Sequence, residues 1–318
     1  MRLEEIKRVA VVGMGIMGPD IALACAFRGY GVAALDTQEE SLERARKRLE
    51  ANIRFGLEQE IIDREKADDV RNRIDFTLDW DRAMDHVQYV TEAVPENLEI
   101  KRDVFRRIGE RCGKAVVVGS NTSSMSIDEI SAEMRFPERA VVTHWFIPAH
   151  LMPVVEVVPG RNTAPWATSL ACDFLSGIGR RPVVCGENPG FVHNYIQAAM
   201  FRAALTLVEE GVCSAKDVDT VVQNGFALRL ASIGPIRMAD YAGLDTCLNL
   251  FKYVHAKTGD DGFKPPGILE DMVAEGKLGM KTGRGFYDYT TEEVERIRKE
   301  ADLTVLEIRK VEEKVKTA

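Results

Sequence analysis

The sequence predicts an α/β fold, namely a doubly wound sheet followed by an all-helical C-terminal domain. Up to about residue 187, short apolar runs alternate with amphipathic stretches, which is the pattern of a parallel sheet covered by helices. The first apolar run leads directly into a glycine-rich turn. After Pro189 and Gly190, which punctuate the chain, only long helical periodicities follow. We therefore expect one domain over residues 1–187 and a second, helical domain over residues 188–318.

Each predicted element has its own signal. Eight apolar runs bounded by turn residues are expected to form strands: RVAVVG, GVAALD, IDFTLD, YVTEAV, AVVVGSN, RAVVTHW, VVEVVP and RPVVCG. Residues from NYIQAAMFRAALTLVEEG onward have helical spacing. The last helix is predicted to begin at a capping box formed by Thr290 and Glu293, and to pack on the body or on a partner.

Composition excludes several classes of function. The chain has 318 residues, 45% of them apolar and 29% charged, which is ordinary for a globular protein. A net charge of −8 argues against a nucleic-acid or anionic-membrane partner. No apolar run approaches the roughly 18 residues of a membrane span, and the N-terminus passes directly into a strand, so we expect a cytoplasmic protein. The 6 cysteines are scattered singly, which predicts reduced thiols and no metal site.

The turn after the first strand has the sequence GMGIMG, which places Gly13, Gly15 and Gly18 in a GxGxxG pattern that also contains Met17. Such a turn brings the backbone close to a pyrophosphate and points the unpaired amides of a helix N-terminus at the anion. The pattern alone is a weak signal, but here it follows a strand and opens a helix. We expect a Rossmann-type dinucleotide site, although a glycine-rich turn without a ligand is the alternative.

The second strand ends at Asp36, at the distance where an acidic residue accepts hydrogen bonds from the ribose hydroxyls. A carboxylate at this point repels a 2′-phosphate, and no arginine follows in DTQEES. The sequence therefore predicts NAD as the cofactor.

Polar side chains follow three further strands. Glu92, Glu96 and Lys101 are expected to cluster at the carboxyl edge of the sheet, where ligands of such folds bind. The next strand ends in NTSS, which brings hydroxyl groups at residues 122–124 to the same edge.

His144 and Glu156 each lie in a run of β-branched residues, where burial of a polar group is costly. Glu156 lies 12 positions after His144, which allows the chain to turn and return as a neighbouring strand, so that the carboxylate reaches the imidazole. Oxidation of an alcohol by hydride transfer needs a base for the hydroxyl proton, and histidines serve in this role. The pair is thus a candidate for catalysis, and a hydrogen-bonded core pair is the alternative.

With these residues in place, the chain resembles the NAD-dependent 3-hydroxyacyl-CoA dehydrogenase family over nearly its whole length. The matching motifs, in the order of the family, are VVGMGIMG, TEAVPENLEIKRDVF, SNTSSMSI, THWFIP, VVEVV, NPGFVHN, GPIRMADYAGLDT and GMKTGRGFYDY.

The resemblance implies a role for each matching residue. Ser123 and Asn194 would hydrogen-bond the substrate oxygen, His144 would be the acid/base, and Glu156 would orient it. The cofactor cleft would be lined by four side chains: Asp36, Glu96, Lys101 and Ser123. The resemblance also implies that the helical C-terminal domain forms a homodimer.

The sequence departs from the family around the reacting centre. The family usually has Asn three residues after the catalytic histidine, and this chain has Ile147. His193 and Tyr195 flank Asn194, where the family more often has an apolar residue and an arginine. We expect these two side chains to lie on a solvated helix turn, with a direct contact to the substrate as the alternative, and His150 to lie in a solvated loop.

The segment after the Asp36 strand also departs from the family. Family members that act on fatty acyl thioesters tend to have lysines there, which bind the phosphates of CoA. This chain has Gln59 and Glu60 at the expected place, and Arg54 and Lys66 are the remaining candidates in an acidic segment.

Three functions follow. The first is the reversible, NAD-dependent oxidation of a short-chain 3-hydroxyacyl-CoA to its 3-oxo form. The second is the oxidation of a small hydroxy compound without CoA, such as carnitine, gulonate or a pyridine carboxylate alcohol. The third is a non-catalytic NAD-binding structural protein.

Overall fold

A computed structural model describes the backbone of residues 2–317 and the side chains of residues 2–315. The described chain contains one sheet of eight strands in the order β3-β2-β1-β4-β5-β6-β7-β8. The strands are β1 (Arg8–Val12), β2 (Gly31–Leu35), β3 (Ile74–Thr77), β4 (Tyr89–Glu92), β5 (Val117–Ser120), β6 (Ala140–Trp145), β7 (Val154–Val158) and β8 (Arg181–Val184). Each predicted strand is confirmed.

The first six strands are parallel, and the order of the sheet reverses between β1 and β4. The last two strands differ from the prediction of a parallel sheet, because β7 is antiparallel to β6 and β8 is parallel to β7. The short connection between β6 and β7 is the physical reason, since a parallel partner needs a crossover of about a dozen residues or more.

Seven helices belong to the sheet domain: α1 (Gly18–Phe27), α2 (Glu39–Glu58), α3 (Arg64–Asn72), α4 (Trp80–Met84), α5 (Leu98–Arg111), α6 (Ile127–Ile130) and α7 (Pro165–Gly177). Residues of α1, α2, α3 and α7 pack on one face of the sheet, and residues of α4, α5 and α6 pack on the other. Along β1 the side chains alternate, with Val9 and Val11 in one core and Ala10 and Val12 in the other. Both faces of the sheet are therefore buried, which explains the continuous apolar strands.

The chain divides into two compact units, Met1–Ala199 and Met200–Ala318, and the boundary falls inside α8 (His193–Glu209). The second unit is helical and contains α9 (Ala215–Asn224), α10 (Phe226–Ile233), α11 (Pro235–Ala242), α12 (Leu244–Thr258), α13 (Gly267–Ala274) and α14 (Thr291–Thr317). The capping box before α14 is present, since Thr290 and Glu293 exchange hydrogen bonds of 2.9 and 3.2 Å. The division near residue 188 stays a prediction.

The second unit contains one fully buried carboxylate, Asp240. Its oxygens accept hydrogen bonds from the backbone N–H groups of Phe286 and Tyr287 and from the Tyr289 hydroxyl, over 2.8–3.1 Å. The GRGFYDY turn is thus held by packing and hydrogen bonds. Within the described residues, no helix has both the length and the apolar character needed to cross a membrane.

Candidate active site

A cleft of about 1000 Å³ opens at the carboxyl ends of the strands, where the strand order reverses. Its walls come from the glycine-rich turn, the end of β2, the segment after β4 and the start of α5. Two of the residues that line it, Gly15 and Ile16, have backbone N–H groups with no hydrogen-bond partner among residues 2–317. The cleft therefore presents free backbone donors to an anionic ligand.

The three glycines of the turn have different tasks. Gly13 has a φ of +98°, and a Cβ atom there would lie 2.6 Å from the carbonyl oxygen of Ala93. Gly15 has open space around it, so its backbone is accessible from the cleft. Gly18 is buried, and a Cβ there would lie 1.9 Å from the carbonyl oxygen of Gly13. Gly18 is therefore not a lining residue and instead allows α1 to pack against the turn.

Asp36 follows β2 and lines the cleft, as Met17 does. Its Oδ2 accepts a hydrogen bond of 2.7 Å from the Met14 N–H, which belongs to the glycine-rich turn. Its Oδ1 accepts bonds of 2.7 and 3.0 Å from the N–H groups of Thr37 and Gln38. The carboxylate is thus fixed at the end of β2, with lone pairs left for a ligand.

Behind the cleft wall lies a buried ion pair. Lys101 is completely buried, and its Nζ lies 2.8 Å from Glu92 and 3.3 Å from Glu96. The prediction that Lys101 lines the cleft is wrong, because its ammonium is used to neutralise two carboxylates. Of these residues, only Glu96 faces the cleft.

Glu96 connects the cleft to the NTSS segment after β5. Its Oε1 accepts hydrogen bonds from the Thr122 hydroxyl at 2.6 Å and from the Ser123 N–H at 3.0 Å. Burial raises the pKa of Glu96, but the Thr122 bond and the charge of Lys101 outweigh burial and hold the pKa below its ordinary value. An ionised Glu96 therefore orders the segment that carries Ser123.

Ser123 is half-buried, and its hydroxyl lies 3.3 Å from Glu96, which lines the cleft. Asn194, in the first turn of α8, donates from Nδ2 to the Ser123 carbonyl oxygen over 3.3 Å. The structure thus brings together two residues that are 71 positions apart in sequence. Their side chains supply a hydroxyl group and an amide at one place.

His144 and Glu156 face each other directly in the antiparallel pair of β6 and β7. The Nδ1 atom of His144 lies 2.8 Å from Oε2 of Glu156, and both side chains are buried. The other carboxylate oxygen accepts the N–H groups of Val192 and His193, at 3.0 and 2.8 Å. Because Nδ1 is held by the carboxylate, Nε2 is the nitrogen left for chemistry, and it has no partner among residues 2–315.

The loop between β6 and β7 is tied to α1 by a buried charge cluster. Asp20 is completely buried, and His150 Nδ1 lies 3.1 Å from its Oδ2. Arg48 binds both oxygens of Asp20 at 2.8 Å. Burial raises the pKa of Asp20, but the bonds from His150 and Arg48 outweigh it, so that this pKa lies below its ordinary value. The prediction of a solvated His150 is wrong.

The prediction of a solvated turn for His193 is also wrong, although Tyr195 is 62% exposed. His193 is half-buried and stacks on Phe146, with ring centroids 4.1 Å apart and an interplanar angle of 23°. Phe146 is also missing from the predicted site, as is Asn121, which lines the cleft and accepts the Trp145 N–H at 2.9 Å. Asn121 begins the NTSS motif, so its position was a usable signal.

Comparison with known proteins identifies the group to which this arrangement belongs. Residues 8–188 match the model of the 3-hydroxyacyl-CoA dehydrogenase NAD-binding domain, and residues 190–289 match that of the C-terminal domain. The chain belongs to the 3-hydroxyacyl-CoA dehydrogenase family. It is therefore an NAD-dependent dehydrogenase that acts on a CH–OH group, and a purely structural NAD-binding role is set aside.

Family members of two kinds are similar to it. The 5-formyl-3-hydroxy-2-methylpyridine 4-carboxylate 5-dehydrogenase of Mesorhizobium japonicum is 34% identical over 310 residues, which cover 96% of this chain and 98% of the relative. A probable 3-hydroxybutyryl-CoA dehydrogenase of Bacillus subtilis is 34% identical over 285 residues, or 90% and 98% of the two chains. The crystal structure of a 3-hydroxyacyl-CoA dehydrogenase from Archaeoglobus fulgidus has a TM-score of 0.76 at 33% identity, covering 92% of this chain and 97% of the other.

The residues of the cleft fit NAD, which is the cofactor of this family. The turn at Gly13 and Gly15 leaves a backbone cradle that side chains would fill. Asp36 supplies acceptors for ribose hydroxyls and a negative charge opposed to a 2′-phosphate. Membership of the family and the donor set at the cleft thus agree.

Asp36 should set the preference for NAD over NADP. We expect NADP to bind about 30-fold or more weaker than NAD, because a carboxylate and a phosphate at short range repel by about 2 kcal/mol near a protein surface. The variant Asp36→Asn keeps the acceptor for the Met14 N–H and should narrow that difference. Calorimetric titration of the wild type and of Asp36→Asn with NAD and NADP measures this preference. Tighter binding of NADP than of NAD by the wild type would contradict the assignment of NAD as the cofactor.

Proposed function

We propose that this family member oxidises the hydroxyl group of a small hydroxy compound that is not linked to CoA. NAD, when bound, accepts the hydride from the carbinol carbon. Nε2 of His144 takes the hydroxyl proton, because Nδ1 is engaged by Glu156. The Glu156 carboxylate, clamped by two backbone N–H groups, stabilises the imidazolium that results.

Ser123 and Asn194 are proposed to hold the substrate oxygen. They lie within one hydrogen bond of each other, and Glu96 fixes the backbone of Ser123. A hydroxyl and an amide can both donate to an oxygen on which negative charge develops as the proton leaves. The two groups therefore complete a site in which one side removes the proton and the other stabilises the charge.

The main observation against a CoA substrate is the charge of the segment that runs from the last turns of α2 into α3. Residues 52–69 contain three basic and six acidic side chains, a net charge of −3. Lys66 lies 3.5 Å from Asp69, and Arg71 in the same helix binds Glu50 at 2.9 Å. A surface with twice as many acidic as basic side chains repels phosphates, so residues 52–69 do not favour the phosphates of CoA.

One relative supports the same choice. The Mesorhizobium enzyme, which aligns over 96% of this chain, is named for a pyridine carboxylate substrate without CoA. Its alignment covers more of the chain than that of the Bacillus relative, which covers 90%. A small, free hydroxy compound is therefore the substrate class that we place first, ahead of the acyl-CoA suggested by the family name.

A short-chain 3-hydroxyacyl-CoA is the second candidate, and one observation favours it. A smaller cleft of about 330 Å³ lies beside α2, and Arg28, Arg180 and Asn52 are among its lining residues. No carboxylate in residues 2–315 pairs with either of these guanidinium groups. An anionic group of a larger substrate has a place to bind there.

The two candidates are separated by a kinetic comparison. We expect the kcat/KM for at least one of carnitine, gulonate and a hydroxymethylpyridine carboxylate to exceed that for 3-hydroxybutyryl-CoA by about 100-fold or more. The reason is that the enzyme lacks the contacts to the CoA phosphates, which are worth several charge-assisted hydrogen bonds. Free CoA at micromolar concentration should not inhibit. Competitive inhibition by CoA, together with preferred turnover of the thioester, would contradict the proposal. NADH formation with each substrate is the measurement.

We also propose that the helical unit mediates a homodimer, as the family resemblance implies. Large apolar side chains that are exposed in this unit support the proposal, among them Leu205, Val221, Leu250, Tyr253 and Ile268. Location in the cytoplasm stays a prediction.

A further inference from the structure

A second imidazole stands beside the proposed base. The ring centroid of His193 is 6.4 Å from that of His144, and the two rings are close to perpendicular, at 71°. The backbone N–H of His193 donates to Glu156, so the main chain that carries this ring is fixed to the catalytic pair. The stack on Phe146 then fixes the plane of the ring. His193 is thus a positioned side chain of the site.

The two ring nitrogens of His193 have no hydrogen-bond partner among residues 2–315, although the side chain is half-buried. Burial lowers the pKa of His193, and the neighbouring His144 acts in the same direction against the opposing charge of Glu156. The ring is therefore neutral near pH 7, with one donor and one acceptor nitrogen. Neither ring nitrogen is fully buried, so both can hydrogen-bond a ligand that enters the site.

A neighbouring residue of the β6–β7 loop lacks the polar group that His193 can offer to a ligand. Ile147, three residues after His144, is 65% exposed and lines the cleft, yet has no polar atom to offer. His193 is attached to the same wall through Phe146, which precedes Ile147. Ile147 cannot make a polar contact with a substrate, but the ring of His193 can, and its centroid lies 6.4 Å from that of His144.

We propose that His193 is a specificity-determining residue that hydrogen-bonds a second oxygen of the substrate, carried on a carbon near the carbinol. This inference rests on the proposed dehydrogenase function and narrows the substrate class to hydroxy compounds with a carbonyl, carboxylate or hydroxyl oxygen close to the reacting carbon. The spacing of the two imidazoles allows one small molecule to contact both. The role of His193 is to select and orient, and His144 alone takes the proton.

Two substitutions separate this role from simple packing. His193→Phe keeps an aromatic ring to stack on Phe146 but removes both nitrogens, whereas His193→Gln keeps a donor and an acceptor but loses the ring. The probes are 3-hydroxybutyrate and 3-hydroxybutyryl-CoA, which have an acyl oxygen near the carbinol, and 2-butanol, which has none.

With the acyl probe that the wild type prefers, kcat/KM should fall about 10- to 100-fold in His193→Phe, as for a lost hydrogen bond to an acceptor. His193→Gln should retain most of the activity, and kcat/KM for 2-butanol should not change in either variant. A role in packing predicts the reverse order, with Phe active and Gln impaired, and that result or equal losses on all probes would overturn the inference. Inactivity of the wild type toward these probes and toward carnitine, gulonate and a hydroxymethylpyridine carboxylate would instead overturn the proposed function on which the inference rests.

Discussion

His144→Gln is expected to lower kcat by about 10²- to 10⁴-fold, the loss typical of a missing general base, with NAD affinity close to that of the wild type. The imidazole is buried, and its free Nε2 is the atom proposed to accept the hydroxyl proton. Gln preserves polarity and approximate size, so the sheet should remain intact. Steady-state kinetics and calorimetric titration with NAD measure the two quantities.

Glu156→Gln should also reduce turnover, because the amide loses the charge that stabilises the imidazolium. The two substitutions should not be additive, since both disable one unit. If the pair served only to hold β6 and β7 together, both variants would lower the thermal midpoint and leave kcat per folded molecule unchanged. His86→Gln, at a histidine whose side chain is 89% exposed, is the matched control and should change neither quantity.

Gly18→Ala is expected to weaken NAD binding by about 100-fold, or about 3 kcal/mol, and to lower the thermal midpoint. Its Cβ would lie 1.9 Å from the Gly13 carbonyl oxygen and 3.0 Å from the Met14 side chain. Since the first of these atoms is backbone, the turn must shift, and the free N–H groups at Gly15 and Ile16 move with it.

Two other alanine variants serve as comparisons. In Gly15→Ala the added Cβ meets no atom within 4 Å, so the thermal midpoint should stay at the wild-type value. NAD binding should be weaker, because this Cβ would occupy the part of the cleft where the backbone is accessible to the cofactor. Gly186→Ala also meets no atom within 4 Å and does not line the cleft, so it should be neutral in both assays. Wild-type NAD affinity and stability in Gly18→Ala would show that the turn does not depend on this close contact.

Much of this site was predictable because local patterns determine it. The alternation of apolar runs predicts the strands, and the glycine pattern after the first of them predicts the turn of the cleft. The pairing of His144 with Glu156 follows from two polar positions in neighbouring apolar strands with a short connection between them. Such features can be predicted from the two-residue period of a strand and the length of the loop between two strands.

The errors concern contacts between segments that are distant in sequence. The sequence predicts that Lys101 clusters with Glu92 and Glu96, but it does not reveal that the ammonium is completely buried behind the cleft. The close contact of His150 with Asp20 likewise joins α1 to a loop about 130 residues later. The antiparallel direction of β7 departs from the general prediction of a parallel sheet, although the short return of the chain from His144 to Glu156 is consistent with it.

The central claim is that His144, held by Glu156, takes the hydroxyl proton of the substrate. Single-turnover formation of NADH tests this claim most directly. Wild type and His144→Gln, each folded with its normal thermal midpoint, are saturated with NAD and mixed with the substrate that the wild type prefers. We predict that the rate of the hydride-transfer burst falls by at least about 100-fold in the variant. A burst at the wild-type rate would show that His144 does not take the hydroxyl proton and would contradict the account.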